Sequence, residues 1–271
     1  MPVVTAAVCP HPPLLVPEVA TGAAPDLDEL RAACLTAVDH LATADEILVV
    51  GSAPAGSHRG SGGEESRRAA ARVLADSVGI DPTAPPLGPG DAGAAHDALL
   101  GVVYGGSAGG GFGAYGAPSV RFGDGPAVLP LSLAIGGWLL EQSKAAGLPR
   151  SYRAVDPVTA PAACLELGRG IGQGDQRVGL LVMGDGAPRR SEHSPVHLHP
   201  LAEVFDSTVA KALAAADADV LAALDPELAA ELQAAGRAPW QVLAGALGEL
   251  RGELLYDAAP YGVGYFVASF S

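Results

Sequence analysis

An apolar run that ends in prolines near the start of the chain is the strongest constraint on the fold. Residues 3–8 are all apolar or β-branched, and residues 9–13 read Cys-Pro-His-Pro-Pro. Proline cannot donate to a sheet ladder, so this pattern predicts a buried strand that stops abruptly. Pro12 also favours an extended backbone at His11. We therefore predict that His11 lies at the carboxyl end of a first strand, where open α/β sheets bind ligands. The alternative is a histidine that only hydrogen-bonds within a turn.

The later hydrophobic patterns predict an α/β fold, with a central, mostly parallel mixed sheet flanked by helices. The helical spacing over residues 26–42 leads into an apolar run at 46–50, and this strand–helix–strand unit favours a parallel pair with a right-handed crossover. The continuous apolar run at 177–183 predicts a strand buried on both faces. The remaining predicted helices are 64–78, 129–146, 160–172, 201–216, 219–224, 226–235 and 239–250, and the remaining strands are 152–155, 252–256 and 262–270.

Composition limits the partners of the chain. At 271 residues it fits one α/β domain over residues 1–271. A net charge of −14 argues against nucleic acid or an anionic membrane as the main partner, because both require a basic face. We expect a cytoplasmic protein that binds a small molecule, and homo-oligomerisation stays open. The three widely spaced cysteines, Cys9, Cys34 and Cys164, indicate neither a disulfide framework nor a zinc cluster.

Three stretches resemble one family. Residues 9–19 resemble the amino-terminal motif of the class III extradiol ring-cleavage dioxygenases, catalytic B-subunit superfamily, and of its divergent bacterial branch in particular. Residues 180–186 are similar to the strand and Gly-Asp turn of that family, and residues 261–268 to its closing strand. The resemblance covers most of the chain and is weak over residues 57–125. It implies an extradiol-dioxygenase-like α/β domain whose relatives hold a non-haem Fe(II) with two histidines and a carboxylate.

Carried over position by position, the resemblance implies an iron site that is degraded in this chain. His11 matches the first ligand, but Ala55 stands where relatives carry the second histidine, and alanine has no lone pair to offer a metal. His58, three residues further on, is a candidate replacement, although a solvated loop is the simpler interpretation. Asp257 is the acid nearest to the position of the relatives' glutamate, with one extra residue before Pro260.

The acid–base position also departs from the family. Relatives have a histidine where this chain has Pro188, so His193 is the candidate acid–base group. A separate metal cluster of His193, His197 and His199 is disfavoured, because residues two apart on an extended segment point to opposite sides and a proline interrupts the first pair. A solvated loop is the alternative.

Arg189 and Arg190 follow Pro188 and could bind a carboxylate or phosphate. The simpler interpretation is that both side chains are solvated at the surface.

Two functions therefore remain. The first is a divergent protein with a degraded iron site that binds a small molecule in the ancestral pocket. The second is an active Fe(II)-dependent oxidoreductase that cleaves a catechol-like ring, with His11, His58 and Asp257 as metal ligands and His193 as acid–base group; Fe(II) is the cofactor only in this case. A third, weaker class is a nucleotide-binding protein that uses the glycine-rich residues 104–116. That segment lacks the Lys-Ser/Thr of a phosphate loop, so we predict a mobile flap or a plain loop.

Overall fold

Nine strands are present in the computed structural model, which describes residues 3–53, 101–171, 173 and 176–271. Seven of them form one mixed sheet in the order β3-β6-β2-β7-β1-β9-β8, and β4 pairs with β5 in a separate ribbon. The strands are β1 (Val3–Cys9), β2 (Glu46–Ser52), β3 (Val102–Tyr104), β4 (Gly110–Phe112), β5 (Ala117–Phe122), β6 (Arg150–Val155), β7 (Val178–Met183), β8 (Gly252–Ala258) and β9 (Tyr265–Phe270).

Helices cover both faces of the sheet, which confirms the predicted α/β architecture. They are α1 (Pro17–Ala20), α2 (Asp28–Asp39), α3 (Leu131–Glu141), α4 (Pro161–Ile171), α5 (Ala202–Ala215), α6 (Ala218–Ala222), α7 (Pro226–Leu232) and α8 (Arg237–Ala246). The first face packs against α2 and α3, and the second face packs against α4, α5 and α8. Among the residues described, no helix is both long enough and apolar enough to cross a bilayer.

The strand order corrects one prediction. β1 and β2 run parallel but do not pair, because β7 lies between them and pairs with both. The carboxyl ends of β1 and β7 are therefore neighbours. The chain continues from β1 to α2 on the first face and from β7 to α5 on the second. Adjacent strands whose connections leave to opposite faces form a crevice at their carboxyl ends, the usual ligand site of open α/β sheets.

The sequence signals for helix starts and ends mostly agree with the helices in the structure. Asp225 caps α7 by accepting the backbone N–H groups of Glu227 and Leu228, at 2.8 and 3.3 Å. The predicted helix at 26–42 is shorter, because 3₁₀ turns replace its first and last residues. The predicted helix at 64–78 lies outside the described residues.

The glycine-rich segment is not a loop along its whole length. Residues 104–116 include the end of β3 and all of β4. A Cβ added to Gly110 would lie 2.2 Å from Cε1 of Phe122, so glycine is required there for the ring of β5 to pack against β4. The expected flap or plain loop is therefore wrong over β4, where the glycines allow close packing within the ribbon.

Candidate functional site

His11 lies at the carboxyl end of β1, as predicted, and its partner is Asp185. The residue is 9% exposed, and its backbone N–H donates to Oδ1 of Asp185 at 2.7 Å. Asp185 follows the last residue of β7 by two positions, and Gly184 between them donates its N–H to the carbonyl of Cys9 at 3.0 Å. The parallel pairing of β1 with β7 thus continues past both strand ends and brings the two side chains together.

The imidazole of His11 has one ring nitrogen near a carboxylate and one without a protein partner. Nδ1 lies 3.5 Å from Oδ1 of Asp185, which is an electrostatic contact rather than a good hydrogen bond. Within the part of the chain that the structure describes, Nε2 has no hydrogen-bond partner. A carboxylate beside Nδ1 favours the tautomer that carries the proton there, and Nε2 is then a lone-pair donor. It could accept a proton or bind a metal.

Burial raises the pKa of Asp185 above the usual range of a carboxyl, and its contacts with His11 partly oppose that shift. The charge of this carboxylate also acts on the phenol of Tyr265. Tyr265 opens β9 beside β1 and is 5% exposed; burial, and next the negative charge of Asp185, raise its pKa. Cys34 of α2 is also affected: burial, the thiol of Cys9 and the charge of Asp185 raise its pKa. Tyr265 and both cysteines belong to the first-face core, so the charge of Asp185 acts on groups of the side covered by α2.

The structure does not bring Asp257 to this pair. Asp257 is exposed on the edge strand β8 and stands opposite Phe266 of β9. Directly opposed residues of antiparallel strands share a face, and Phe266 belongs to the second-face core. The charge of Asp257 accordingly contributes to raising the pKa of Asp206 on α5, a residue of the second face. Asp257 thus lies on the second face of the edge strand β8, whereas His11 follows the inner strand β1 and contacts Asp185.

Of the other predicted histidines, His193 and His197 are exposed, His199 is half-buried, and His58 lies outside the described residues. His193 is exposed, and its backbone N–H donates to Oγ of Ser191 at 3.3 Å. His197 is also exposed, whereas Nε2 of His199 lies 3.0 Å from Oε1 of Glu231.

An iron site of the family type does not fit the residues described. Across 3–53, 101–171, 173 and 176–271, no three His, Cys, Asp or Glu side chains are arranged to hold a metal ion. A facial iron site needs two imidazoles and one carboxylate around the metal. His11 is one such donor. The carboxylate of Asp185 contacts Nδ1 of His11, so these two side chains do not form a joint set of metal ligands.

A buried ion pair fixes the loop that carries Asp185. The carboxylate of Asp206 is fully buried; it accepts the backbone N–H of Ala187 at 3.0 Å and lies 3.1 Å from Nη1 of Arg190. Arg190 also donates its backbone N–H to the carbonyl of Gly262 at 3.1 Å. Arg190 therefore does not serve as a free anion-binding group, and with Asp206 it anchors residues 186–190 immediately after Asp185.

We expect the Asp206 contact to make stability depend on pH. Burial raises the pKa of Asp206 to about 6, although the Ala187 N–H and Arg190 act against the shift. The folded protein thus binds the proton of the Asp206 carboxyl more tightly than the unfolded chain does. The stabilisation from this bound proton is complete below the unfolded pKa and is lost as pH rises through the folded value. From about pH 4 to pH 7, the unfolding free energy of the wild type should fall relative to Asp206→Asn by about 2 kcal/mol.

Urea unfolding of both proteins across that pH range measures the difference. Glu203→Gln, an exposed position on the same helix, controls for the loss of one negative charge. If the wild-type and Asp206→Asn profiles stay parallel, then Asp206 does not titrate as its environment implies.

Asp185 is the site residue that the sequence analysis missed. One signal was present: an acid follows a fully apolar strand with a single glycine between them, in a Gly-Asp-Gly turn. That signal gains meaning only when β7 is known to lie beside β1, and the sequence does not supply the strand order. The family pattern drew attention to Pro188 three residues later.

No protein-family model matches the sequence, and no curated protein matches it either. Among solved structures, the chain is similar to that of the uncharacterized protein JW3007 from Escherichia coli K12, with 14% sequence identity and a TM-score of 0.42. That alignment covers 98% of this chain and 99% of the other.

Proposed function

We propose that this protein binds a small molecule in the crevice at the carboxyl ends of β1 and β7, without a family-type iron centre. His11 is the group that contacts the ligand, through Nε2, and Asp185 is a positioning residue that orients the imidazole from its Nδ1 side. The observation that carries the proposal is the His11–Asp185 pair itself, a largely buried imidazole beside a carboxylate at the switch point of the sheet.

The chemistry of this pair suits a ligand with an ionisable hydroxyl group. A neutral imidazole with a free Nε2 accepts a hydrogen bond or a proton from such a group, and the nearby carboxylate stabilises the positive charge that proton transfer creates. Tyr265 is a second polar side chain on which the charge of Asp185 acts. A catechol-like molecule, which is the ligand class of the resembled family, has hydroxyls of this kind and is the natural first probe.

The iron-dependent alternative draws on the same histidine. In metal sites, a ligating imidazole commonly has its other ring nitrogen beside a carboxylate, as Nδ1 of His11 has. The position of Asp257 on the second face counts against the ligand set of His11, His58 and Asp257. We therefore place the metal-free binding function first.

Two measurements on the full-length protein separate these functions. After treatment with a chelator, the protein should still change the absorption spectrum of 4-nitrocatechol in a saturable, stoichiometric manner. After anaerobic loading with Fe(II) and exposure to air, it should consume no oxygen with a panel of catechols. Stoichiometric Fe(II) together with catechol-dependent oxygen uptake would replace the proposal with the ring-cleaving alternative. Failure of the probe to bind in either state would refute both.

A further inference from the structure

A second pocket, on the other side of the β7 turn, contains a buried arginine that has no counter-ion among the residues the structure describes. It lies between the turn after β6, the end of α7 and the start of α8, and has a volume of about 250 Å³. Its walls are mainly apolar and include Pro157, Val158, Ala229 and Ala234, with Arg237 as its cationic member.

Arg237 is 2% exposed, and its protein partners are all neutral. Nη1 donates to the carbonyl of Thr159 at 2.7 Å and to Oε1 of Gln241 at 2.8 Å, and Nη2 donates to the carbonyl of Pro157. Among the described residues, no carboxylate lies within ion-pair distance of this guanidinium, and no acceptor contacts its Nε. Burial lowers its pKa, and the single opposing influence is the thiol of Cys164.

An arrangement of this kind is costly unless something compensates the charge. A buried ion without a partner of opposite sign costs several kcal/mol, even when neutral groups accept some of its hydrogen bonds. Of the acidic residues within 3–53, 101–171, 173 and 176–271, none places its carboxylate at this guanidinium. The missing negative charge can therefore come from a ligand.

The first turn of α8 adds to the attraction for an anion. Arg237 and Ala238 are its first two residues, both line the pocket, and no side chain caps this ten-residue helix. The first backbone N–H groups of a helix lack intrahelical partners and carry partial positive charge. One guanidinium and one helix end among apolar walls match a monoanion with an aliphatic tail better than a dianionic phosphate.

We propose that this pocket binds a small aliphatic monocarboxylate, with the carboxylate on Arg237 and the chain against the alanines of α7 and Ala234. This site is independent of the His11 crevice. The two are neighbours, because Gly236, the residue before Arg237, donates its N–H to the carbonyl of Asp185 at 2.8 Å.

Calorimetric titration of the full-length protein with hexanoate and with hexanamide tests the proposal. The two probes have the same tail and differ in charge, so we expect hexanoate to bind at least about tenfold more tightly, which is about 1.4 kcal/mol. Arg237→Gln should abolish this preference while hexanamide still binds, which also verifies that the variant is folded. Equal affinity for the two probes in the wild type would overturn the assignment, as would a preference that survives Arg237→Gln.

A second variant keeps the test decisive if Arg237→Gln does not fold. Ala230 is an exposed pocket residue on α7, and Ala230→Phe should block the pocket and weaken hexanoate binding by at least about tenfold. Ala214→Phe, on the exposed side of α5, is the matched control and should bind as the wild type does. Unchanged binding by Ala230→Phe would show that hexanoate binds elsewhere. A short peptide with a free C-terminal carboxylate that binds more tightly than hexanoate would overturn the assignment to a free acid.

Discussion

We expect His11→Ala to weaken the binding of 4-nitrocatechol to the metal-free protein by at least about tenfold, or about 1.4 kcal/mol. The physical reason is that Nε2 of His11 is the acceptor available to a ligand hydroxyl at the carboxyl end of β1. Its removal leaves that hydroxyl without its partner in the proposed crevice, and an unpaired buried polar group costs about 1–3 kcal/mol. Titration followed by absorbance gives the dissociation constant directly.

His193→Ala is the matched control for this result. His193 is the other histidine that the sequence suggested for acid–base chemistry, but it is exposed on the loop after β7. We expect its removal to change the dissociation constant less than about twofold, within the range usual for surface substitutions. A loss of binding in His193→Ala with none in His11→Ala would move the site from the strand end to the loop.

Gly168→Ala should lower the unfolding free energy by about 3 kcal/mol, because it forces apart two helices of the second face. A Cβ added to Gly168 of α4 would lie 2.0 Å from the carbonyl oxygen of Val242 and 2.9 Å from Cα of Gly245, both in α8. Both contacts are with backbone, so no side-chain rotation relieves them. Such a loss would remove a large share of the total unfolding free energy, which is roughly 5–15 kcal/mol for typical domains.

Gly170→Ala, in the same helix, provides the matched control. A Cβ at Gly170 would meet no atom within 4 Å, so only the helix preference of alanine acts there. We expect a stabilisation of up to about 1 kcal/mol. Urea unfolding of the two variants beside the wild type measures both effects. A Gly168→Ala protein as stable as Gly170→Ala would mean that α4 and α8 are not packed at this distance.

The sequence predicted the parts of the fold that depend on local patterns. The apolar runs of β1, β2 and β7 mark buried strands wherever they lie in the sheet, and Asp225 followed by proline specifies a helix start on its own. The order of the strands could not be predicted in this way. The position of β7 between β1 and β2 depends on contacts between residues more than a hundred positions apart.

The same limit explains the outcome at the candidate site. His11 was predictable, because the prolines around it fix the end of β1. Asp185 was missed, because its proximity to His11 follows from the pairing of β1 with β7. The face that Asp257 occupies depends on its register against Phe266 in β9, and the sequence does not reveal that register. The packing role of Gly110 was hidden for a similar reason, since Phe122 is twelve residues away in the next strand.

The tautomer of His11 is the most direct test of the account, because everything proposed for the crevice requires the carboxylate of Asp185 to favour a proton on Nδ1 and leave Nε2 available. Long-range ¹H–¹⁵N correlation spectra resolve the two ring nitrogens of each histidine, and His11→Gln assigns the signal. At alkaline pH, where an imidazole is neutral, we expect the His11 proton on Nδ1 in the wild type and a mixture of tautomers in Asp185→Asn. A wild-type His11 protonated on Nε2, or a spectrum unchanged by Asp185→Asn, would contradict the account.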